Sequence, residues 1–191
     1  MAAGILIGIG GLVFLALENK VLGAVFFCVG LFTICTFGFH LFTGKVCYLF
    51  DNGIEYLPDL LLIWAGNLAG TGILALLARG TRLISLSEKA AALCDIKMND
   101  TLLSLFILGI FCNILIYIAV DGYKNNPHEL GRYLSIFLGV TVFILAGFEH
   151  SVADMFYFFM AGIINGRMFL CLIVITLGNA VGGALFPLLR K

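Results

Sequence analysis

The stretch Gly147-Phe148-Glu149-His150-Ser151-Val152-Ala153-Asp154 sets two carboxylates, an imidazole and a hydroxyl inside a run from Tyr133 to Ile164 that is otherwise almost wholly apolar. Such groups can accept and donate hydrogen bonds, carry charge and pass protons. At membrane depth each ionisable group costs roughly 2.5–3.5 kcal/mol on insertion scales, so these groups face a bundle interior or a cavity and mark transport paths. The stretch therefore reads as part of a pore.

Composition supplies the membrane. The chain has 191 residues, 62% hydrophobic and 12% charged, with a mean hydropathy of +1.12; soluble domains carry about 25% charged residues. Formal net charge is zero and no basic block occurs, which excludes nucleic-acid binding and a polybasic lipid-sensing tail. The six cysteines, at 28, 35, 47, 94, 112 and 171, form no CxxC pair. They read as small buried filler rather than as metal ligands or disulfides, and no metal or cofactor is expected. The opening apolar residues lack a basic leader and run on into more membrane-grade sequence, so they read as a mature span.

Six hydrophobic stretches must position the polar groups, each judged against the roughly 20 residues that cross a bilayer as helix. They are Ala2–Leu17, Val21–Phe50, Leu60–Ala78, Thr101–Val120, Tyr133–Asn165 and Met168–Leu189. The second and fifth are too long for one clean span and carry glycine with polar residues, which predicts broken helices. Arg79–Asp100 reads as an interfacial or extramembrane helix, and Asp121–Arg132, with Asn125-Asn126-Pro127, as a loop. His128 in that loop is expected to be solvated. Lys45 is expected to cap a half-helix or snorkel, and the eighteen phenylalanines to face lipid and pack.

The two halves repeat one pattern. Gly38-Phe39-His40-Leu41-Phe42 is followed by Gly66-Asn67-Leu68-Ala69-Gly70, and Gly147-Phe148-Glu149-His150-Ser151 by Gly178-Asn179-Ala180-Val181-Gly182. Three spans per half give the copies, about residues 2–79 and 101–189, opposite orientations within one channel domain spanning 1–191. In such inverted 3+3 repeats, interrupted helices meet near the midplane and form the substrate site. Gly66, Gly70, Gly178, Gly182 and Gly183 read as close-packing positions.

These motifs resemble the formate/nitrite transporter family, which also includes hydrosulfide channels. Leu41-Phe42-Thr43, the Gly147–Ser151 motif and Gly178-Asn179 with Gly182-Gly183 carry the likeness, with support from Gly66-Asn67-Leu68, Gly109 and Asn113. The resemblance implies an all-α, aquaporin-like membrane fold without Asn-Pro-Ala boxes. It also implies a homopentamer with one pore per protomer, spanning the cell inner (plasma) membrane several times. Family pores have two apolar constrictions around a chamber holding a histidine and a threonine, here His150 and Thr43. Leu31, Leu41, Phe27, Phe42, Phe143 and Ile116 fall at the constriction positions. Asn113 matches the asparagine near the chamber, and Lys97 the lysine of the outer vestibule.

The implied chemistry is transport of small monovalent weak-acid anions, formate first and nitrite next, with hydrosulfide, acetate and lactate as alternatives. An unpaired anion pays heavily in an apolar constriction. Lys97 is expected to draw it in, and His150 and Thr43 to offer donors; an imidazole titrating near neutrality can also pass a proton. Alone in an apolar span, His150 would read as a satisfied core histidine, but the repeat and the motif favour the pore. His40 and Glu149 are expected to serve structure, Glu149 by holding the break or pairing with backbone amides.

The family usually carries a cytoplasmic helix before the first span, which here opens at Ala2. With both termini cytoplasmic as in the family, Lys20, Arg79, Arg82, Lys89, Lys97 and Arg167 fall outside and Lys124, Arg132, Arg190 and Lys191 inside, against the positive-inside tendency. A hydrolase built on His40, His150 and a carboxylate would need a set such as HExxH, which does not occur; no enzyme is expected. A structural membrane protein without a pore would lack the paired breaks.

Overall fold

The computed structural model describes residues 1–189; Arg190 and Lys191, counted above among the cytoplasmic charges, lie outside them. Every regular element among the described residues is helical. In chain order these are α1 (Ala2–Ala16), α2 (Lys20–Phe37), α3 (Phe42–Lys45), α4 (Leu49–Asn52), α5 (Leu57–Arg79), α6 (Ser87–Asn99), α7 (Leu102–Asn125), α8 (Glu129–Ala146), α9 (Ser151–Ala161) and α10 (Gly166–Leu189). Short 3-10 turns at Val46–Tyr48, Ile54–Tyr56 and Arg82–Leu86 join them.

Five described segments are long and apolar enough to cross a membrane: Lys20–Phe37, Ile54–Arg79, Leu102–Asn125, Glu129–Ala146 and Gly166–Leu189. The first expected span is the 15-residue helix α1, which at 1.5 Å per residue reaches roughly 22 Å of a roughly 30 Å core. The two overlong stretches are interrupted as expected. The second runs as α2, an irregular segment, then α3 and α4; the fifth runs as α8, an irregular segment and α9.

The expected loop at 121–132 is mostly helix. α7 runs on to Asn125, because Asp121 accepts from Asn125 Nδ2 at 2.7 Å across one turn and the chain stops only before Pro127, whose ring disfavours helix in the residue ahead of it. Asn126 then turns the chain, its Oδ1 accepting from His128 N at 2.9 Å and its carbonyl from Arg132 Nε at 2.8 Å. His128 is exposed.

Helix packing follows the sequence repeat. α1 lies against α2 and α5, α7 against α8 and α10, and α2 against α8. Small residues allow these approaches, as in membrane helix pairs generally. A Cβ on Gly30 would stand 2.7 Å from the Leu6 carbonyl oxygen, and one on Gly109 2.9 Å from that of Ile175. Gly70 abuts the Met1 backbone, and Gly178 and Gly182 abut the carbonyls of Phe106 and Ile110. The close-packing reading of the Gly-Asn-x-x-Gly motifs therefore holds at these three glycines.

α9 is the centre of the molecule. Every residue from Ser151 to Phe158 is buried, with α5, α6, α1 and α10 packed around it. The half-helix α9 thus sits against α5 and α1, while α3 touches α7 and α10. All six cysteines are free thiols, five of them buried and Cys35 partly so.

Candidate functional site

Both breaks begin with the same backbone device. Gly38 closes α2 at φ 71° and Gly147 closes α8 at φ 73°, a left-handed conformation that costs other residues a Cβ clash. Beyond each glycine a backbone N–H reaches back over the last turn: Phe39 N donates to Ile34 O at 3.0 Å and Phe148 N to Phe143 O at 3.0 Å. These bonds satisfy helix-end carbonyls that would otherwise be unpaired in an apolar setting.

Two buried asparagines then hold the unwound chain. Asn67 on α5 accepts from Phe42 N at 2.8 Å and donates to His40 O at 3.1 Å. Asn179 on α10 accepts from Ser151 N at 2.9 Å and donates to Glu149 O at 2.9 Å, and also to Gly109 O at 2.9 Å. Each amide satisfies one donor and one acceptor on either side of a break, which irregular backbone at this depth requires. His40 serves through its carbonyl, as its structural reading requires; its side chain is exposed.

The breaks meet at Thr43 and His150, which are 0% and 2% exposed. Thr43 Oγ1 lies 2.9 Å from His150 Nε2. His150 Nδ1 accepts from Ala153 N at 3.1 Å, so the imidazole caps α9. An accepting Nδ1 assigns the proton of the neutral ring to Nε2, and Nε2–H then donates to the threonine oxygen. The Thr43 hydroxyl hydrogen is left free to donate elsewhere. Asn113 Nδ2 holds the Thr43 carbonyl at 3.0 Å, while its Oδ1 is buried without a partner.

Apolar groups close around this pair. Phe143 stacks on the imidazole with centroids 5.5 Å apart, and Phe27 meets Phe143 edge-on at 6.2 Å. Phe27, Leu31, Leu41, Phe42, Ile116 and Phe143 all belong to one buried cluster. On one side lies an open vestibule of about 1110 Å³ that reaches inward to Leu31, Leu41 and Gly44, with Lys45, Asp51, Lys124, Glu129 and Arg132 along its walls. Lys124 Nζ sits 5.0 Å over the Tyr48 ring there.

Lys97 lies elsewhere, at the end of α6, and is not a bare cation at an entrance. Its Nζ contacts Glu149 Oε2 at 2.5 Å and Asp154 Oδ1 at 3.1 Å, with side chains 11%, 6% and 2% exposed. Burial opposes the Lys97 charge, but the carboxylates of Asp154 and Glu149 outweigh it and hold the ammonium's pKa above its ordinary value. Glu149 therefore holds the second break through this ion pair and through its carbonyl on Asn179; among the described residues its carboxylate takes no backbone amide.

Thus Thr43, His150, Phe143, Phe27 and Asn113 come together by direct contacts, and Lys97 joins them through the residue next to His150. Sequence reasoning missed the clamping role of Asn67 and Asn179 and the sharing of Lys97 by Asp154. The signal for the first was the near-equal spacing, 25 residues from Phe42 to Asn67 and 28 from Ser151 to Asn179.

Comparison with known proteins agrees with this geometry. The formate/nitrite transporter family model matches residues 1–190. A probable formate transporter of Methanothermobacter thermautotrophicus is 30% identical over 201 residues, covering 89% of this chain and 73% of that protein. The formate channel FocB of Escherichia coli (strain K12) is 28% identical over 177 residues, which cover 82% of this chain and 62% of its own. Among solved structures, a pentameric formate channel with formate bound superimposes with a TM-score of 0.85 at 27% identity, over 98% of this chain and 91% of that one. An FNT family ion channel does so with a TM-score of 0.84 at 26% identity, over 96% and 83%. With its long apolar helices, paired breaks and buried Thr43–His150 contact, this chain is a multi-pass membrane protein and belongs to the formate/nitrite transporter family.

Proposed function

We propose that the chain conducts small monovalent weak-acid anions, formate first and nitrite next, through one pore per protomer of a homopentamer in the cell inner (plasma) membrane. The fold that serves this is an aquaporin-like inverted repeat of three plus three spans, with α1 completing the six and the second and fifth broken. The observation that carries the reading is the direct hydrogen bond between Thr43 and His150 where the two breaks meet.

The vestibule collects the ion, and Leu31 and Leu41 at its inner end with Phe27, Phe42, Phe143 and Ile116 form the apolar constrictions. An anion that inserts between Thr43 and His150 breaks their mutual bond and receives two donors in exchange, the hydroxyl hydrogen and the Nε2–H. Charge-assisted bonds of this kind are about twice as strong as neutral ones, which offsets part of the desolvation cost. Asn113 fixes the Thr43 backbone so that the hydroxyl is already aimed. Lys97 fixes Glu149, and with it the start of α9, at the other end of the path.

Labelled formate influx into proteoliposomes across about pH 5 to 8 tests this. Saturating or pH-dependent uptake by the native chain, altered in His150→Ala, supports the pore. Uptake no faster than in empty vesicles throughout that range removes formate as the ion. Competition by nitrite, hydrosulfide, acetate and lactate ranks the remaining substrates.

A further inference from the structure

The Glu149–Lys97–Asp154 cluster has one carboxylate more than its ammonium can neutralise. Both carboxyls touch the same nitrogen, at 2.5 and 3.1 Å, and both side chains are almost fully buried. Asp154 Oδ1 takes the lysine, whereas Asp154 Oδ2 is buried with no partner. An anionic oxygen left without a donor in a low-dielectric interior carries an uncompensated charge, and such groups pair or neutralise instead. Glu149 Oε2 and Asp154 Oδ1 meet on the one Lys97 nitrogen, which sets the two carboxyls side by side.

Among the described residues, no neighbouring element supplies the missing positive charge. α6 brings Cys94 besides Lys97, α7 brings Cys112, α9 itself brings Tyr157, and α10 brings Cys171. Arg167 of α10 is committed to the carbonyls of Met98 and Asp100, and Arg79 of α5 to that of Phe159. His150, one turn before Asp154, uses Nδ1 to accept the Ala153 amide hydrogen.

We propose that Glu149 and Asp154 hold one resident proton between them beside Lys97, a proton-binding site separate from His150. The proton comes from water and forms an O–H bond at Asp154 Oδ2, which then donates to the Glu149 carboxylate. Glu149 keeps its negative charge because it has the shorter contact with the ammonium. The cluster becomes neutral: one ammonium, one carboxylate and one carboxylic acid. Its consequence for transport rests on the function proposed above. A neutral cluster leaves no net negative charge beside the residue that must receive an anion, and the Asp154 proton stands one helical turn from the imidazole.

Infrared spectroscopy of the detergent-purified full chain in H2O and D2O tests the proton without reference to any transported ion. At about pH 7, where ordinary carboxyl groups are ionised, the native protein should show a deuterium-sensitive carboxylic-acid C=O band. Asp154→Asn should lose it. Glu149→Gln should lose it as well, because one carboxylate then faces one ammonium and no excess remains. Absence of the band from the native protein overturns the proposal, whichever variants fold. Its persistence at full intensity in Asp154→Asn or in Glu149→Gln overturns it also. A chain that shows the band yet transports no formate keeps the proton site and loses the anion reading.

Discussion

Asn67 and Asn179 perform the same task at equivalent places. Each stands in a Gly-Asn-x-x-Gly segment of a long helix and bonds a backbone N–H just after a break and a backbone carbonyl just before it. Asn179 does one thing more, donating to Gly109 O on the facing helix α7. The glycines flanking each asparagine bring the helix backbones close, so the motif sets the distance between helices and holds the break at once.

Replacing either asparagine by alanine leaves two backbone groups around the break without partners, both buried at Asn179 and one buried and one part-buried at Asn67. At roughly 1–3 kcal/mol per orphaned buried group, and less for the part-buried His40 carbonyl, Asn67→Ala should lose about 2–4 kcal/mol. Asn179→Ala should lose more, since the Gly109 carbonyl is released too. Unfolding of the detergent-solubilised protein by heat or SDS, monitored by circular dichroism, gives the ranking; equal losses would mean that the third bond contributes nothing.

Glycines of two kinds should respond differently to alanine. Gly147 has a positive φ, but a Cβ there would meet nothing within 4 Å. Its cost is conformational alone, about 1–2 kcal/mol. Gly182 has ordinary helical backbone, and its Cβ would run into the Ile110 backbone. Overpacking of that sort costs typically 1–3 kcal/mol or more, because whole helices must separate. The same unfolding assay should place Gly182→Ala below Gly147→Ala, and a reversed order would show that α7 and α10 yield more easily than the turn.

The breaks were legible because Gly-Phe followed by polar residues inside an apolar run has few other meanings. The family resemblance implied one chamber for Thr43 and His150 but not their direct hydrogen bond, since nothing local relates residues 107 apart. Lys97 shows where such reasoning stops. Its position matched a vestibule lysine, but its partners lie 52 and 57 residues on, in another element, and no helical periodicity links α6 to α9. The end of α7 was missed for a different reason. Hydropathy marks where apolar residues stop, whereas the helix continues on Asp121 and Asn125, which bond one another across a turn outside the apolar region.

Removing Lys97 should be costly, because two buried carboxyls lose their only cation among the described residues. Lys97→Met should destabilise by about 3–5 kcal/mol, and the triple variant Lys97→Met, Glu149→Gln, Asp154→Asn should regain much of the loss, since apolar or neutral replacement of a buried ionic cluster is often tolerated. The pH dependence has a definite sign. A lysine whose folded pKa lies above its ordinary 10.5 contributes its full stability below that value and loses it only as pH rises through the higher folded one. Lys97 therefore gives no slope to native stability between about pH 6 and 9. Unfolding midpoints of native protein and Lys97→Met should differ at every pH in that range, and by more at the alkaline end, because the two buried carboxyls left without a cation take up protons on folding; a gap that closes toward pH 9 would mean that the ammonium titrates there.

His150 has two tasks that a single substitution confuses. Its Nε2–H meets Thr43, and its Nδ1 caps α9 through the Ala153 amide. His150→Ala removes both, so slow transport in that variant could reflect a frayed half-helix. Loss of an N-cap costs about 0.5–2 kcal/mol. His150→Asn separates the tasks, since asparagine is a good N-cap residue and does not titrate near neutrality. The expectation is that His150→Asn unfolds within about 0.5 kcal/mol of the native protein yet transports formate with an altered pH profile. Thr43→Val keeps the imidazole and its cap but removes the hydroxyl, and should slow uptake while leaving the pH profile in place. Should His150→Asn be as unstable as His150→Ala, the cap is imidazole-specific; should its transport profile match the native one, the imidazole is a capping group and the chamber donor is Thr43 alone.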